Sequence, residues 1–390
     1  MRLILNAALL LGMAVPAFGQ ADCGGDFGQW LDGVKGEAVA ADHDPATVDA
    51  FFAAARQDSK VLKADRSQGV FRKTFLEFSK ALISESRMKN GRSYLQKYAG
   101  TFKTMQSEFG VNPGIIMAFW AFETDFGQVQ GDFNTLNALV TLAHDCRRPE
   151  LFRPQVMAAL MLHERGDFDA ATTTGAWAGE VGMVQMLPRD ILERGIDGDG
   201  DGRIRLKTSA PDALLSGANM LRSFGWRAGE PWLQEVTLPD DLDWSKTGLD
   251  TELSTAQWAG LGVQPRDGGL PKGLSASVLL PQGRKGPAFL AYPNFRVLFE
   301  WNKSFVYVTT AAYFATRLQG AAPYAAGDPD PALSGEQMAA LQKKLAARGY
   351  DVGKIDGILG AATRSAVQKE QLRLGLPADA WPTLGLLKAL

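Results

Sequence analysis

The sequence has few of the residues on which metal-dependent and nucleophilic enzymes rely. It contains only three histidines, His43, His144 and His163, and none is spaced from another histidine or a cysteine as metal ligands are. His163-Glu164 begins like a zinc-protease motif but lacks the second histidine. A Gly-x-Ser-x-Gly elbow and a phosphate-binding glycine loop are also missing. These absences argue against zinc proteases, serine hydrolases and nucleotide-dependent enzymes.

Excess charge of one sign is also absent. The formal net charge is -2 over 390 residues, so no strong basic field is available to bind nucleic acid. With 46% hydrophobic and 22% charged residues the chain has an ordinary globular composition. Its length predicts two or three domains rather than one core.

The longest apolar run is too short to span a bilayer. Arg2 precedes an apolar stretch over residues 3–15, and Pro16 and several small residues follow it. This pattern is typical of a cleavable secretory signal, which we place at residues 1–20. A buried N-terminal helix is the alternative. We expect an exported protein without a transmembrane helix in its mature form.

Cysteine is scarce, with only Cys23 and Cys146. Paired cysteines of an exported chain are often bridged, and this bridge would tie the mature N-terminus to the domain body. The alternative is lipid attachment at Cys23. That signal needs a small residue immediately before the cysteine, and Asp22 stands there instead, so we favour the disulfide.

The apolar periodicity predicts a mainly helical protein. The strongest helix covers 112–126, with Asn112 as N-cap, Pro113 in the first turn and Gly127 at the exit. Further helical patterns cover 45–109, 133–145, 149–164, 186–194, 211–224 and 294–318, whereas 226–290 is read as loops and short strands.

The composition also divides the chain. A small, proline-rich stretch at 321–332 predicts a linker between a domain at 21–320 and one at 333–390. Ser334 and Gln337 form a capping-box pattern that opens the first of three predicted helices in the small domain. A domain of this size suits binding better than chemistry.

Glu123 is the best candidate for an acid catalyst. Its neighbours at helical spacing are Ile116, Phe119 and Trp120, all apolar. A carboxyl group on such a face loses hydration, which raises its pKa and lets it donate a proton near neutral pH. The alternative is a glutamate at a helix end whose carboxylate reaches water.

The segment at 175–188 contains three glycines together with Trp177 and Gln185. Glycines let the backbone approach a flat ligand, and the glutamine amide can hydrogen-bond sugar hydroxyls. Taken alone, the segment could equally be a tight turn before a helix.

Regularly spaced carboxylates follow at Asp197, Asp199 and Asp201, with Gly202 next. Carboxylates at loop positions one, three and five with glycine at six match the start of an EF-hand calcium loop. Thr208 stands at position twelve where a glutamate is usual, and Asp212 could close a longer loop. A solvated acidic turn is the alternative.

Together these segments resemble the membrane-bound lytic murein transglycosylase B family. The resemblance rests on residues 122–127, 175–188, 197–201 and 286–295, which occur in the family's order. The tail resembles the common peptidoglycan-binding domain through Leu341-Gln342, Gly349-Tyr350, Ile355-Asp356-Gly357, Gly360 and Thr363-Arg364.

The resemblance implies a lysozyme-like, mostly helical catalytic domain with Glu123 as the single acid/base. The expected reaction cleaves the β-1,4 bond between MurNAc and GlcNAc of peptidoglycan and forms a 1,6-anhydro sugar, with no cofactor for the chemistry. A monomer in the periplasm is expected, and peptidoglycan strands are the expected partner. Phe126, Trp177, Met183, Gln185 and Tyr292 are the expected substrate-binding residues. Asp197, Asp199, Asp201, Arg203 and Asp212 are the expected residues of a structural calcium site.

Several positions depart from the family pattern. Ala176 stands where relatives often have serine, Glu180 where a small residue is common, and Arg296 and Trp301 where some relatives have tyrosines. Two other functions are weighed beside the main one. A hydrolytic muramidase would use a second carboxylate such as Asp125 or Asp132, and a non-catalytic scaffold would only bind the wall.

Overall fold

The computed structural model describes residues 23–67 and 73–390, and most of the regular structure is helical. The predicted signal peptide lies outside the described residues. The helices are α1 (Phe27–Ala40), α2 (Pro45–Phe52), α3 (Ser59–Arg66), α4 (Phe75–Leu82), α5 (Glu85–Lys97), α6 (Ala99–Thr104), α7 (Pro113–Thr124), α8 (Thr135–His144), α9 (Pro149–Arg165), α10 (Pro188–Arg194), α11 (Ala210–Ser223), α12 (Thr255–Gly260), α13 (Pro293–Trp301), α14 (Phe305–Leu318), α15 (Gly335–Ala346), α16 (Ala361–Arg373) and α17 (Leu384–Ala389). Over the described ranges, no helix has the length and apolar character needed to cross a membrane.

Helix α7 runs through the centre of the large domain. Its N-terminus forms as predicted, because the Asn112 side chain accepts from the amide of Gly114 and Pro113 occupies the first turn. Residues 114–121 are buried because α14, α5 and α11 pack around the helix. It ends earlier than predicted, at Thr124, since Asp125 and Phe126 already adopt left-handed backbone angles of φ 50° and 61°.

The predicted helical stretch 294–318 is two helices. Asn302 adopts an extended conformation after α13, and the Ser304 side chain accepts from the amide of Tyr307 to cap α14. The apolar periodicity continues across the break, which is why the sequence pattern alone did not predict it.

The region 226–290 forms short strands, as predicted, but these assemble into a sheet. The strands that come from this region are β3 (Leu233–Thr237), β4 (Leu253–Ser254), β5 (Gln264–Pro265), β6 (Ser275–Leu279) and β7 (Ala288–Ala291). Two short strands precede it in the chain, β1 (Phe133–Asn134) and β2 (Thr174–Gly175). Strands β3 to β7 form an antiparallel sheet in the order β4-β6-β7-β3-β5, and one of its faces has a separate small core around Trp258 and Leu290. The pair β1–β2 joins Phe133 to Gly175.

The C-terminal residues form the predicted three helices, α15, α16 and α17, around their own small core. The capping box of Ser334 and Gln337 is present. Residues 321–334 lack helix and strand, yet they lie against the large domain. The Tyr324 hydroxyl is 2.7 Å from the hydroxyl of Ser79, and Lys285 pairs with Asp330 at 2.6 Å. This segment is therefore a packed connection rather than a free tether.

The predicted disulfide between Cys23 and Cys146 is confirmed, with 5.3 Å between the Cα atoms. It attaches the start of the described chain to the turn that follows α8. Beside it the buried carboxylate of Asp65 is bonded by Arg147 and Arg148.

Candidate active site

The Glu123 carboxyl lies at the last turn of α7 and is enclosed by aromatic side chains. Its Oε1 accepts a hydrogen bond of 2.5 Å from the Tyr307 hydroxyl and one of 3.2 Å from Trp301 Nε1. Burial raises the pKa of Glu123 to about 7, although the two donors act in the opposite direction. This carboxyl is therefore suited to exchange a proton near neutral pH.

The two donors come from the ends of the two helices that the sequence pattern joined into one. Trp301 is the last residue of α13, and its ring stacks on Phe119 with 4.2 Å between centroids and an interplanar angle of 3°. Tyr307 lies in the first turn of α14, against Phe122. From the sequence, Trp301 stood out only as a departure from the family pattern, and Tyr307 was missed. No local signal could have found it, because it lies 184 residues from Glu123.

The glycine-rich segment lies beside Glu123 because Thr124 holds it there. The Thr124 hydroxyl donates to the Met183 carbonyl at 2.6 Å and accepts from the Gly127 amide at 2.9 Å. Gly182 adopts φ 84°, and a Cβ there would lie 2.5 Å from the Cβ of Leu206, so only glycine fits. Gln185 also has a left-handed φ of 55° and donates to the Gly182 carbonyl at 2.8 Å.

A second carboxyl, that of Glu180, lies in the same segment. Burial raises its pKa, and its charge contributes to the raised pKa of Glu123. Its backbone carbonyl accepts from Ala176, and a Cβ on Gly175 would lie 2.0 Å from that oxygen. The sequence pattern marked Glu180 as unusual without indicating a role for it.

The remaining residues predicted to bind substrate have different surroundings. Trp177 and Met183 are partly exposed, so both side chains are accessible to a ligand. Phe126 is 5% exposed and packs between Tyr94 and Trp120.

The substrate-binding role predicted for Tyr292 is not supported. The residue is fully buried in the core of the sheet, where its hydroxyl donates to Gln234 at 2.6 Å. A side chain without accessible surface cannot contact a ligand, so the place of Tyr292 within the 286–295 segment reflects packing.

The aspartate loop brings together the carboxylates of three of its four predicted aspartates. Carboxylate oxygens of Asp197, Asp199 and Asp212 lie within 4.8 Å of one another. Asp201 instead pairs with Arg205 at 2.8 Å, and the Arg203 side chain donates to the Arg165 carbonyl.

The three grouped carboxylates fit a calcium ion. Oxygens that bind one such ion at about 2.3–2.6 Å can be at most roughly 5 Å apart. Asp212 is fully buried, and no arginine or lysine of the described residues forms an ion pair with any of the three. A hard divalent cation would supply the missing positive charge.

Comparison with known proteins identifies the two domains. Residues 26–316 match the transglycosylase SLT domain model, and residues 334–390 match a peptidoglycan binding domain model. The membrane-bound lytic murein transglycosylase B of Escherichia coli is 28% identical over 232 residues, which are 59% of this chain and 63% of that protein. This chain thus aligns with less than two thirds of that relative.

Solved structures agree with this assignment. SltB3 from Pseudomonas aeruginosa, in complex with NAG-anhNAM-pentapeptide, is 37% identical with a TM-score of 0.85, covering 94% of this chain and 99% of its own. The Escherichia coli lytic transglycosylase Slt35 in complex with calcium is 25% identical with a TM-score of 0.65, covering 79% and 98%. The predicted mainly helical, lysozyme-like fold is confirmed. The chain belongs to the transglycosylase SLT domain family of lytic transglycosylases and carries a C-terminal peptidoglycan-binding domain.

Proposed function

We propose that this protein cleaves the β-1,4 bond between MurNAc and GlcNAc in peptidoglycan and leaves 1,6-anhydroMurNAc ends. The observation that carries the proposal is the Glu123 carboxyl, whose pKa of about 7 lets it act as acid and then as base. The complex of SltB3 with an anhydro-sugar ligand supports the same product class.

In the first step the protonated Glu123 donates its proton to the glycosidic oxygen, and the bond from that oxygen to C1 of MurNAc breaks. The N-acetyl group of MurNAc assists at C1. In the second step the C6 hydroxyl attacks C1 and passes its proton to the Glu123 carboxylate, which restores the acid. No water is consumed, so one carboxyl suffices where hydrolases use two.

Tyr307 and Trp301 act in both steps through the same Oε1 atom. Both donate to it, which favours the carboxylate formed after the first proton transfer. Burial favours the protonated form that starts the reaction. We propose that Trp177, Met183 and Gln185 line the groove for the glycan.

Mass analysis of digested sacculi tests the reaction. We expect saccharide products lighter by one water than their hydrolysed counterparts, because the C6 hydroxyl replaces water as nucleophile. Reducing ends would instead support a muramidase.

Asp125 is a poor second carboxylate for the muramidase reaction, since its Oδ1 accepts a hydrogen bond of 2.9 Å from Arg87. Binding of sacculi by the wild-type protein without any cleavage would favour the scaffold.

We further propose that Asp197, Asp199 and Asp212 bind a structural calcium ion. The solved complex of the relative Slt35 with calcium supports this proposal. The ion has no part in the chemistry. Because it binds only the folded loop, calcium should raise the melting temperature of the protein. Calorimetry with calcium and with excess chelator tests this, and identical melting curves would contradict it.

We also propose that the protein acts as a monomer in the periplasm. The N-terminal signal pattern, the Cys23–Cys146 disulfide and a wall-polymer substrate all favour an oxidising compartment outside the cytoplasm. Fractionation of cells that express the full chain tests the location, and sedimentation of the purified protein tests the monomer.

A further inference from the structure

The peptidoglycan-binding domain contacts the large domain through a buried arginine. Arg364, in α16, is 8% exposed. Its Nη2 donates to the Pro281 carbonyl at 2.7 Å, and its guanidinium carbon lies 4.5 Å from the centre of the Phe305 ring. Among the described residues no carboxylate forms an ion pair with it, and its Nε has no hydrogen-bond partner.

A buried guanidinium without a carboxylate partner is costly unless its surroundings are held in place. Burial lowers the pKa of Arg364 to about 10, although the charge of Asp379 acts in the opposite direction. Carbonyl dipoles and the face of an aromatic ring compensate for the lost hydration only at close range. The contact therefore depends on a defined position of the domain.

Other contacts hold the domain in the same position. Gln368 Nε2 donates to the Thr247 carbonyl at 2.7 Å, and the Ser365 hydroxyl donates to Asp250 at 2.7 Å. Asp379, which follows α16, accepts from the amide of Arg284 at 3.1 Å. Together they place α16 against the sheet end of the large domain.

Phe305 connects this interface to the active site. It is the first residue of α14, and it lies between Trp301 and Tyr307 in the chain. Those two residues supply both hydrogen bonds to Glu123. Phe305 is 6% exposed, and its ring contacts the guanidinium of Arg364.

We propose that Arg364 is a positioning residue for catalysis. Through Phe305 it holds the turn between α13 and α14, so that Trp301 and Tyr307 keep their places at Glu123. The peptidoglycan-binding domain is then a part of the active-site support as well as a wall anchor. This inference rests on the proposed function.

The test compares Arg364→Met with Lys343→Met in the full chain. Lys343 is an exposed cation of the same domain, so its replacement removes the same charge and introduces the same side chain. A GlcNAc–MurNAc tetrasaccharide serves as substrate, and kcat, KM and the pH dependence of kcat are measured. We expect Arg364→Met to lower kcat about tenfold, because small displacements of catalytic groups cost this much or more.

The pH profile separates positioning from general destabilisation. Tyr307 and Trp301 lower the pKa of Glu123, so loosening them should move the alkaline limb of kcat to higher pH. Arg364→Lys should recover part of the loss. If Arg364→Met does not fold, Phe305→Leu tests the other side of the contact with the same readout.

A kcat and an alkaline limb equal to those of Lys343→Met would overturn the inference. That outcome leaves the proposed function intact if Glu123→Gln abolishes turnover. A wild-type protein that does not cleave the tetrasaccharide or sacculi would instead overturn the proposed function.

Discussion

Glu123 and Asp212 are two carboxyls of the large domain whose surroundings differ, since Asp212 is fully buried and Glu123 is only partly exposed. Glu123 has aromatic neighbours and two neutral side-chain donors on one oxygen. Asp212 accepts from the amides of Gly198 and Arg205 at 2.9 and 2.7 Å and from the Ser209 hydroxyl at 2.9 Å. The surroundings of Glu123 favour its protonated form. Those of Asp212 stabilise a carboxylate that lies beside two further carboxylates. The partners of a buried carboxyl therefore decide whether it serves as a proton donor or a cation ligand.

Replacing Glu123 by glutamine should give the largest effect. The amide keeps an oxygen for Tyr307 and Trp301 but has no transferable proton, so kcat should fall about 10³-fold or more. Release of soluble fragments from sacculi measures it. A variant that cleaves as fast as the wild type would refute the assignment of Glu123.

The same substitution should raise stability at alkaline pH. The native pKa of about 7 exceeds the ordinary value of 4.5, so the native state holds a proton that the unfolded state has lost. The contribution of this proton to the free energy of unfolding of the wild type is complete below pH 4.5 and is lost as the pH rises through 7. Glu123→Gln should thus exceed the wild type by roughly 2–3 kcal/mol at pH 8 and match it at pH 4. Denaturant unfolding of both proteins at pH 4 and pH 8 measures this. The same difference in free energy of unfolding between variant and wild type at the two pH values would contradict the prediction.

Asp212→Asn should have the opposite effect on stability. The asparagine side chain has one acceptor oxygen where the aspartate has two, so at least one of the backbone N–H groups that Asp212 binds loses its acceptor. This should cost about 1–3 kcal/mol. The gain in melting temperature on adding calcium should also disappear. Asp201→Asn is the matched control, since Asp201 lies outside the three-carboxylate group. If the control loses the calcium effect and Asp212→Asn keeps it, the proposed ligands are wrong.

Tyr307→Phe should lower kcat about tenfold or less and move the alkaline limb of kcat to higher pH. It removes one donor that lowers the pKa of Glu123. Tyr313→Phe, on the same helix but bonded to Ala322 and Tyr324, should change neither quantity. Equal profiles for the two variants would show that Tyr307 does not tune the acid.

Glu180→Gln should give the smallest effect. Its charge is the weakest of the contributions that raise the pKa of Glu123, so its removal should move the alkaline limb slightly to lower pH. The expected change in kcat is less than about threefold at neutral pH. A large loss of kcat with reducing-end products would instead indicate that Glu180 is a second catalytic carboxylate.

The sequence by itself determined what local physics can decide. Apolar spacing around Glu123 predicted both its helix and the raised pKa of its carboxyl, and Asn112 and Pro113 marked the helix start. The regular aspartates predicted the loop in which Asp197 and Asp199 meet Asp212. The pairing of Cys23 with Cys146 followed from composition and from the compartment that the N-terminal pattern predicts.

Only the tertiary structure decided which distant residues reach the site. Tyr307, Trp301 and the contact between Arg364 and Phe305 depend on how helices far apart in the chain pack together, and periodicity carries no information on such pairings. The same reason explains the burial of Tyr292, because its side chain packs in the core of the sheet with residues from other segments of the chain. The break at Asn302 likewise depends on a cap and on packing, not on the apolar pattern that runs through it.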